Sequence, residues 1–154
     1  MPTVFVLNGP NLNLLGQREP EIYGRHSLEE IAARCREAGR RLGLEIVFRQ
    51  TNAEGELVNW IQEAGTEAAA LVLNAAGYTH TSVAVLDALR TFPGPIVEVH
   101  LSNPYRREAF RARSYVSLAA DGIICGLGAT GYVLALEAVA ERLRNRRDET
   151  DREA

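Results

Sequence analysis

Five short runs of β-branched and aliphatic residues punctuate the chain: TVFVL at 3–7, LEIVF at 44–48, AALVLN at 69–74, IVEVHL at 96–101 and GIIC at 122–125. Each is close to continuously apolar rather than alternating, the pattern of strands covered on both faces, as in a parallel sheet. The stretches between them carry apolar residues at helical spacing. The first puts Leu28, Ile31, Ala32, Cys35, Ala38 and Leu42 on one stripe. It starts at Ser27, whose hydroxyl can cap while Glu30 reaches back, and it stops at Gly43. Further helices are expected over 54–64 ahead of Gly65, over 82–91 ahead of "FPGP", and over 131–145. The segment "REPEIYG", 18–24, reads as irregular chain that delays the first helix, an expensive use of residues in a small domain.

Strands alternating with crossover helices predict an α/β fold: a flavodoxin-like, five-stranded parallel sheet of order 2-1-3-4-5 with helices on both faces. One catalytic domain is expected over 1–145. The remainder, "RRDETDREA" at 146–154, has no apolar face and reads as a charged, frayed tail. In such sheets ligands bind beyond the carboxyl ends of the strands, where strand order reverses, here between strands 1 and 3. The loops that reach that crevice are chemically rich: "NGPNLNLLGQREPEIYG" after strand 1, "NAAGYTH" after strand 3 and "HLSNPYRREAFR" after strand 4.

Composition narrows the possibilities. At 154 residues, with 46% hydrophobic and 24% charged positions, the chain can bury a full core without staples. A net charge of −3 argues against nucleic acid as the main partner. Cys35 and Cys125 form no CxxC pattern and read as free thiols in a reducing cytoplasm. No apolar run approaches membrane-spanning length and the N-terminus lacks the pattern of a signal peptide, so a cytoplasmic location with no membrane partner is expected. All 17 basic residues are arginine. Without lysine, neither Schiff-base catalysis by a lysine amine nor a lysine-ended P-loop can be housed here.

Two of the three histidines, His80 and His100, fall at the ends of strands 3 and 4, in loops that also hold Asn74, Ser102 and Arg111. That grouping points to a concave polar site. No histidine pair has i, i+4 spacing and no carboxylate cluster accompanies them, so no metal is expected. His26 lies beside the helix cap and reads as solvated. "GLGATG" at 126–131 satisfies a dinucleotide-binding pattern, but the acidic residue on a following strand that the fingerprint requires has no strand left to carry it. Tight turning and close helix packing account for these glycines.

Taken together, "NGPNLNLLGxREPxxYG", "NxxxYTHTS", "EVHLSNPYxREAFRxxSYVS" and "GxICGLGxxGY" resemble type II 3-dehydroquinate dehydratase, over about residues 4–143. The resemblance implies trans-dehydration of 3-dehydroquinate to 3-dehydroshikimate through an enolate, in the shikimate or quinate pathway. It also implies no cofactor and no metal, and a homododecamer built as a tetramer of trimers. Dehydrating a β-hydroxy ketone requires a base beside the carbonyl, stabilisation of the enolate and an acid for the departing hydroxyl. By resemblance Tyr23 is the base, Arg18 its activator and His100 the acid, held by Glu98. The last pairing is geometrically sound, because strand residues at i and i+2 point the same way. A phenol ordinarily titrates near pH 10 and serves as a base only where a cation favours its ionised form. The delayed helix then has a purpose: 18–25 resembles a lid carrying base and activator over the substrate.

The same motifs imply that Asn74 positions a water at the enolate oxygen and that Ser102 with the Leu101 amide holds the substrate carboxylate. They imply further that His80 and Arg111 contact ring hydroxyls and that Asn11 orders the lid. Asp87 is implied to serve a neighbouring subunit's site. Ala53 and Leu118 depart from residues common in the family, histidine at the first position and proline or aspartate at the second. Two other classes are compatible with parts of the sequence: a nucleotide-binding domain using "GLGATG", and a non-catalytic flavodoxin-like interaction domain.

Overall fold

A computed structural model describes residues 1–153. Its five strands, β1 (Thr3–Asn8), β2 (Glu45–Gln50), β3 (Ala70–Asn74), β4 (Ile96–His100) and β5 (Gly122–Cys125), form one sheet of order β2-β1-β3-β4-β5, parallel at every pairing. The expected order holds, and strand order reverses between β1 and β3. The helices are α1 (Pro20–Tyr23), α2 (Leu28–Leu42), α3 (Glu54–Glu67), α4 (Val83–Leu89) and α5 (Thr130–Glu153).

Strand parity sorts the core into two layers. Val4, Val6, Ala70, Val72, Val97 and Val99 pack with Ile31 and Cys35 of α2 and with Tyr132, Leu136 and Val139 of α5. The alternate residues Phe5, Leu7, Leu71, Leu73 and Ile96 pack with Leu57 and Ile61 of α3 and Val85 and Leu89 of α4. Burial on both faces explains the apolar runs of β1, β3 and β4. It also decides where the polar residues at the strand ends go. Asn8 and Asn74 share the parity of the α2/α5 layer, while Glu98 and His100 share that of the α3/α4 layer.

At α2 Ser27 Oγ accepts from Glu30 N at 3.1 Å and Gly43 closes the helix in the left-handed conformation, as expected, but the Glu30 side chain makes no return bond to Ser27 N. Three boundaries differ. Gly65 does not end α3, which runs to Glu67, because an exposed helical glycine costs only about 1 kcal/mol and the i→i−4 ladder continues to Ala68. The third predicted helix is shorter, α4 closing at Leu89. The last is longer, continuing eight residues past 145. Its charged extension is exposed, and the i, i+4 spacing of Arg144 with Asp148 and of Arg147 with Asp151 supports a solvated helix where a frayed tail was expected. "REPEIYG" is not wholly irregular either: Pro20 at its first position starts the single turn α1.

Cys35 and Cys125 are unbonded, and burial pushes the Cys35 thiol up to about 12, so it is inert packing. Among the described residues no helix is long and apolar enough to cross a membrane.

Candidate active site

A single cavity at the carboxyl edge of the sheet gathers most of the expected residues: Asn11, Arg18, Tyr23, Asn74, His80, His100, Leu101, Ser102 and Arg111 all line it. Its floor is the ends of β1, β3 and β4, and its rim is the three rich loops. Gly9 lets two of those loops meet. Its amide donates to Asn74 O at 2.8 Å, and any Cβ there would lie 2.4 Å from Ala75 O.

The His100 side is built into the sheet. Glu98 is fully buried and its Oε2 lies 2.5 Å from His100 Nε2. Ser114 Oγ donates to the same oxygen at 2.8 Å, and Ser117 Oγ donates to Oε1. Burial pushes the carboxyl up, but the bonds from His100, Ser117 and Ser114 outweigh it and hold Glu98 below its ordinary value. Glu98 therefore stands behind His100 as a fixed anion that engages its Nε2. His80 stacks on His100 with ring centroids 6.5 Å apart, and its Nδ1 donates to Arg113 O at 2.7 Å. Burial, with the neighbouring His100 and Arg111, pulls His80 below its ordinary value. It stands in the site as a neutral ring whose Nε2 can accept.

The base side differs from expectation in one respect. The Tyr23 hydroxyl is held by Arg107, whose Nη2 donates to it at 2.7 Å and whose Nη1 donates to Ser102 Oγ at 3.3 Å. Arg18 lies instead over the ring, its Cζ 5.0 Å from the centroid, and pairs loosely with Glu19. Arg107 Cζ is also 5.0 Å from that centroid, so two guanidinium groups flank one phenol. Arg107 lies within "NPYRREAFR", but its side-chain partner is 84 residues away, and no local pattern announces that contact.

Neighbouring groups fix the rest. Arg111 Nε donates to Glu108, and Phe110 packs edge-on to His80. The Leu101 amide has no acceptor among the described residues, which leaves it for a ligand. Asn52 Oδ1 accepts from Asn11 N at 3.0 Å and its carbonyl accepts from Tyr78 at 2.7 Å, tying the base of the lid to the loop after β3. Among the described residues the non-glycine positions with positive φ are Asn11 (69°), Glu19 (39°) and Ala76 (51°). Asn11 and Ala76 line the cavity and Glu19 adjoins Arg18, so local backbone strain concentrates at the site.

Asp87 is not brought to this cavity: it is exposed on α4 and absent from the lining. "GLGATG" is occupied by the protein itself. The amides of Gly126 and Gly128 donate to the carbonyls of His100 and Leu101, at 3.2 and 3.1 Å, and a Cβ on Gly126 would crowd Asn103 at 3.2 Å. The turn clamps the backbone that carries His100. Among the described residues no group of three or more histidine, cysteine or carboxylate side chains is placed to hold a metal.

Known proteins resemble this chain over most of its length. The family model described as Dehydroquinase class II matches residues 2–140. The 3-dehydroquinate dehydratase of Caulobacter sp. (strain K31) is 60% identical over 137 residues, covering 89% of this chain and 93% of its own. That of Mesorhizobium japonicum is 59% identical over 144 residues, covering 93% and 100%. The crystal structure of a type II dehydroquinase from Propionibacterium acnes superposes with a TM-score of 0.89 at 45% identity, over 92% of this chain and 97% of that one. The corresponding enzyme from Butyrivibrio crossotus gives 0.87 at 37% identity, over 90% and 97%.

Proposed function

The chain belongs to the class II dehydroquinase family, and from that premise we propose how its own residues carry the reaction. The reaction itself is dehydration of 3-dehydroquinate. A nucleotide-binding role is not favoured, since the "GLGATG" amides are already bonded to the site's own backbone.

The phenolate of Tyr23 takes a proton from the carbon between the ketone and the hydroxyl-bearing carbon. The C–H electron pair moves onto the carbonyl as an enolate. When the enolate collapses, its electrons form the new C=C bond, and the hydroxyl leaves with a proton from His100 as water. Arg107 donates to the hydroxyl and Arg18 lies over the ring, so two guanidinium groups adjoin the phenol whose oxygen takes the proton. Asn74 donates toward the enolate oxygen, directly or through water. The Leu101 amide and Ser102 take the substrate carboxylate, next to Arg107, which already touches Ser102. His80 and Arg111 meet ring hydroxyls, Asn11 steadies the lid, and Glu98 keeps His100 oriented. The observation that carries this reading is a tyrosine hydroxyl held by a guanidinium in the same cavity as a histidine backed by a buried carboxylate. No cofactor or metal enters the scheme.

Two features support assembly into a homododecamer, a tetramer of trimers. Tyr105, Phe110, Leu118 and Leu127 are each more than half exposed. Asp87 faces outward from its own cavity, as a residue serving a neighbour's site would. If it does, Asp87→Ala and Tyr23→Phe chains co-assembled from the unfolded state give more activity than the parental average; a parental average in assemblies whose mixing is confirmed by mass means that Asp87 acts within its own subunit or not at all. Unbonded cysteines support a cytoplasmic location.

Incubating the protein with 3-dehydroquinate tests the function: ultraviolet absorbance of the conjugated enone rises, and its failure to rise contradicts the assignment.

A further inference from the structure

The α2/α5 side of the sheet carries a polar chain of which the scheme above uses only Asn74. Tyr132, on α5, is completely buried, and its hydroxyl donates to Asn8 Oδ1 at 2.6 Å while accepting from Asn74 Nδ2 at 2.9 Å. Asn8 and Asn74 are register partners at the ends of β1 and β3, and both are buried. We propose that Tyr132 is a positioning residue: its hydroxyl fixes the orientation of the Asn74 amide so that the site is offered a hydrogen-bond donor.

The direction of the chain is set at both ends by backbone groups that cannot invert. Asn8 Nδ2 donates to Arg49 O at 3.0 Å and to Val6 O at 3.4 Å, so its Oδ1 is left as an acceptor and needs a donor. The Tyr132 proton must serve it, which leaves the phenol oxygen as an acceptor for Asn74. At the other end Asn74 Oδ1 accepts from Ala76 N at 3.1 Å. A flipped Asn74 would set Nδ2 against that N–H and, by drawing the Tyr132 proton to itself, leave Asn8 Oδ1 buried and bare. Each fault is costly in an apolar interior. Burial pushes the Tyr132 phenol up, so it remains a donor throughout the physiological range. One Nδ2 hydrogen of Asn74 goes to Tyr132, and the second has no acceptor among the described residues. Asn74 lines the cavity, so that hydrogen is the one the site can use.

This inference rests on the assignment of Asn74 to the enolate oxygen. Charge develops on that oxygen after substrate has bound, so loss of amide orientation lowers kcat and leaves KM little changed. Removing an oxyanion donor outright costs about 10²-fold or more, and losing only its bias costs less, about tenfold. Tyr132→Phe is therefore expected to lower kcat about tenfold in the native background and less than twofold in an Asn74→Ala background. Asn8→Ala, which frees the hydroxyl from the opposite end, is expected to behave the same way and decides the matter if Tyr132→Phe does not fold. The outcome that overturns the proposal is an equal factor in both backgrounds, an unchanged kcat, or a change confined to KM. If Asn74→Ala itself retains full turnover, the Asn74 assignment fails and takes this proposal with it. If Asn74→Ala is impaired but the effects multiply, only the role of Tyr132 fails.

Discussion

Tyr23 sits on one helical turn with no buried residue, whereas His100 ends a strand in which every residue is buried. The lid holds its reactive group by a hydrogen bond from Arg107 and by two guanidinium–ring contacts at its partly exposed surface. The strand end holds its group by a fully buried carboxylate that two serines also satisfy, and by the clamp of Gly126 and Gly128 on the following backbone. Elements with few buried contacts open at low free energy, and those in the core open only with global unfolding. His100 is therefore held in place by the core, whereas Tyr23 rides on an element that opens at low free energy. This division suits a site that must admit a polar substrate and then exclude water around an enolate.

The largest expected effect breaks the lid side at its reactive atom. Tyr23→Phe lowers turnover by about 10²- to 10⁴-fold, while the thermal midpoint barely moves, because the hydroxyl contributes nothing to the core. Steady-state kinetics beside a melting curve checks both. A midpoint that fell as steeply as turnover would place Tyr23 in the stability of the fold instead.

A smaller effect separates the two arginines. Arg107→Ala removes a charge-assisted hydrogen bond to the phenol and one to Ser102, and is expected to cost about 10²-fold. Arg18→Ala removes only a cation over the ring and is expected to cost roughly tenfold less. Turnover measured for both decides the order. The reverse order would make Arg18 the principal activator.

The strand side responds to pH. Glu98 titrates below its ordinary value in the folded protein, so its contribution to stability is complete above the unfolded value of about 4.3 and is lost as pH falls through the folded value. Glu98→Gln removes that component. Its melting temperature against pH is therefore expected to be flatter than the parent's in the acid range, with a deficit of about 1–3 kcal/mol above it. Parallel curves for the two proteins would show that the carboxylate adds nothing to folding.

Much of the strand side was legible in the sequence. Near-continuous apolar runs imply a sheet buried on both faces, order reversal locates the crevice, and period-two parity agrees with the Glu98–His100 pairing that the family resemblance implies. The lid was half legible: Arg18 and Tyr23 stand out as chemistry on a segment that delays a helix, but the turn at Pro20–Tyr23 and the hand of Arg107 on the hydroxyl depend on how a distant loop folds back. The Asn8–Tyr132–Asn74 chain was not legible, since it joins residues up to 124 positions apart and looks locally like ordinary strand ends and an ordinary helix. "GLGATG" illustrates the converse: a local motif suggested a ligand, and tertiary contacts reveal a backbone clamp. The overlong α5 shows solvated charge at helical spacing sustaining a helix where absence of an apolar face suggested none.

The proposed base on the lid and acid on the strand end, taken with the trans course that the family resemblance implies, act on opposite faces of one substrate. The direct measurement uses 3-dehydroquinate carrying deuterium stereospecifically beside the ketone, on the face opposite the leaving hydroxyl, with mass spectrometry of the 3-dehydroshikimate formed. The account predicts product free of deuterium, the label having left with the proton that Tyr23 removes. Product that keeps the label would mean that proton and hydroxyl depart from the same face, and would contradict the division between lid and strand end.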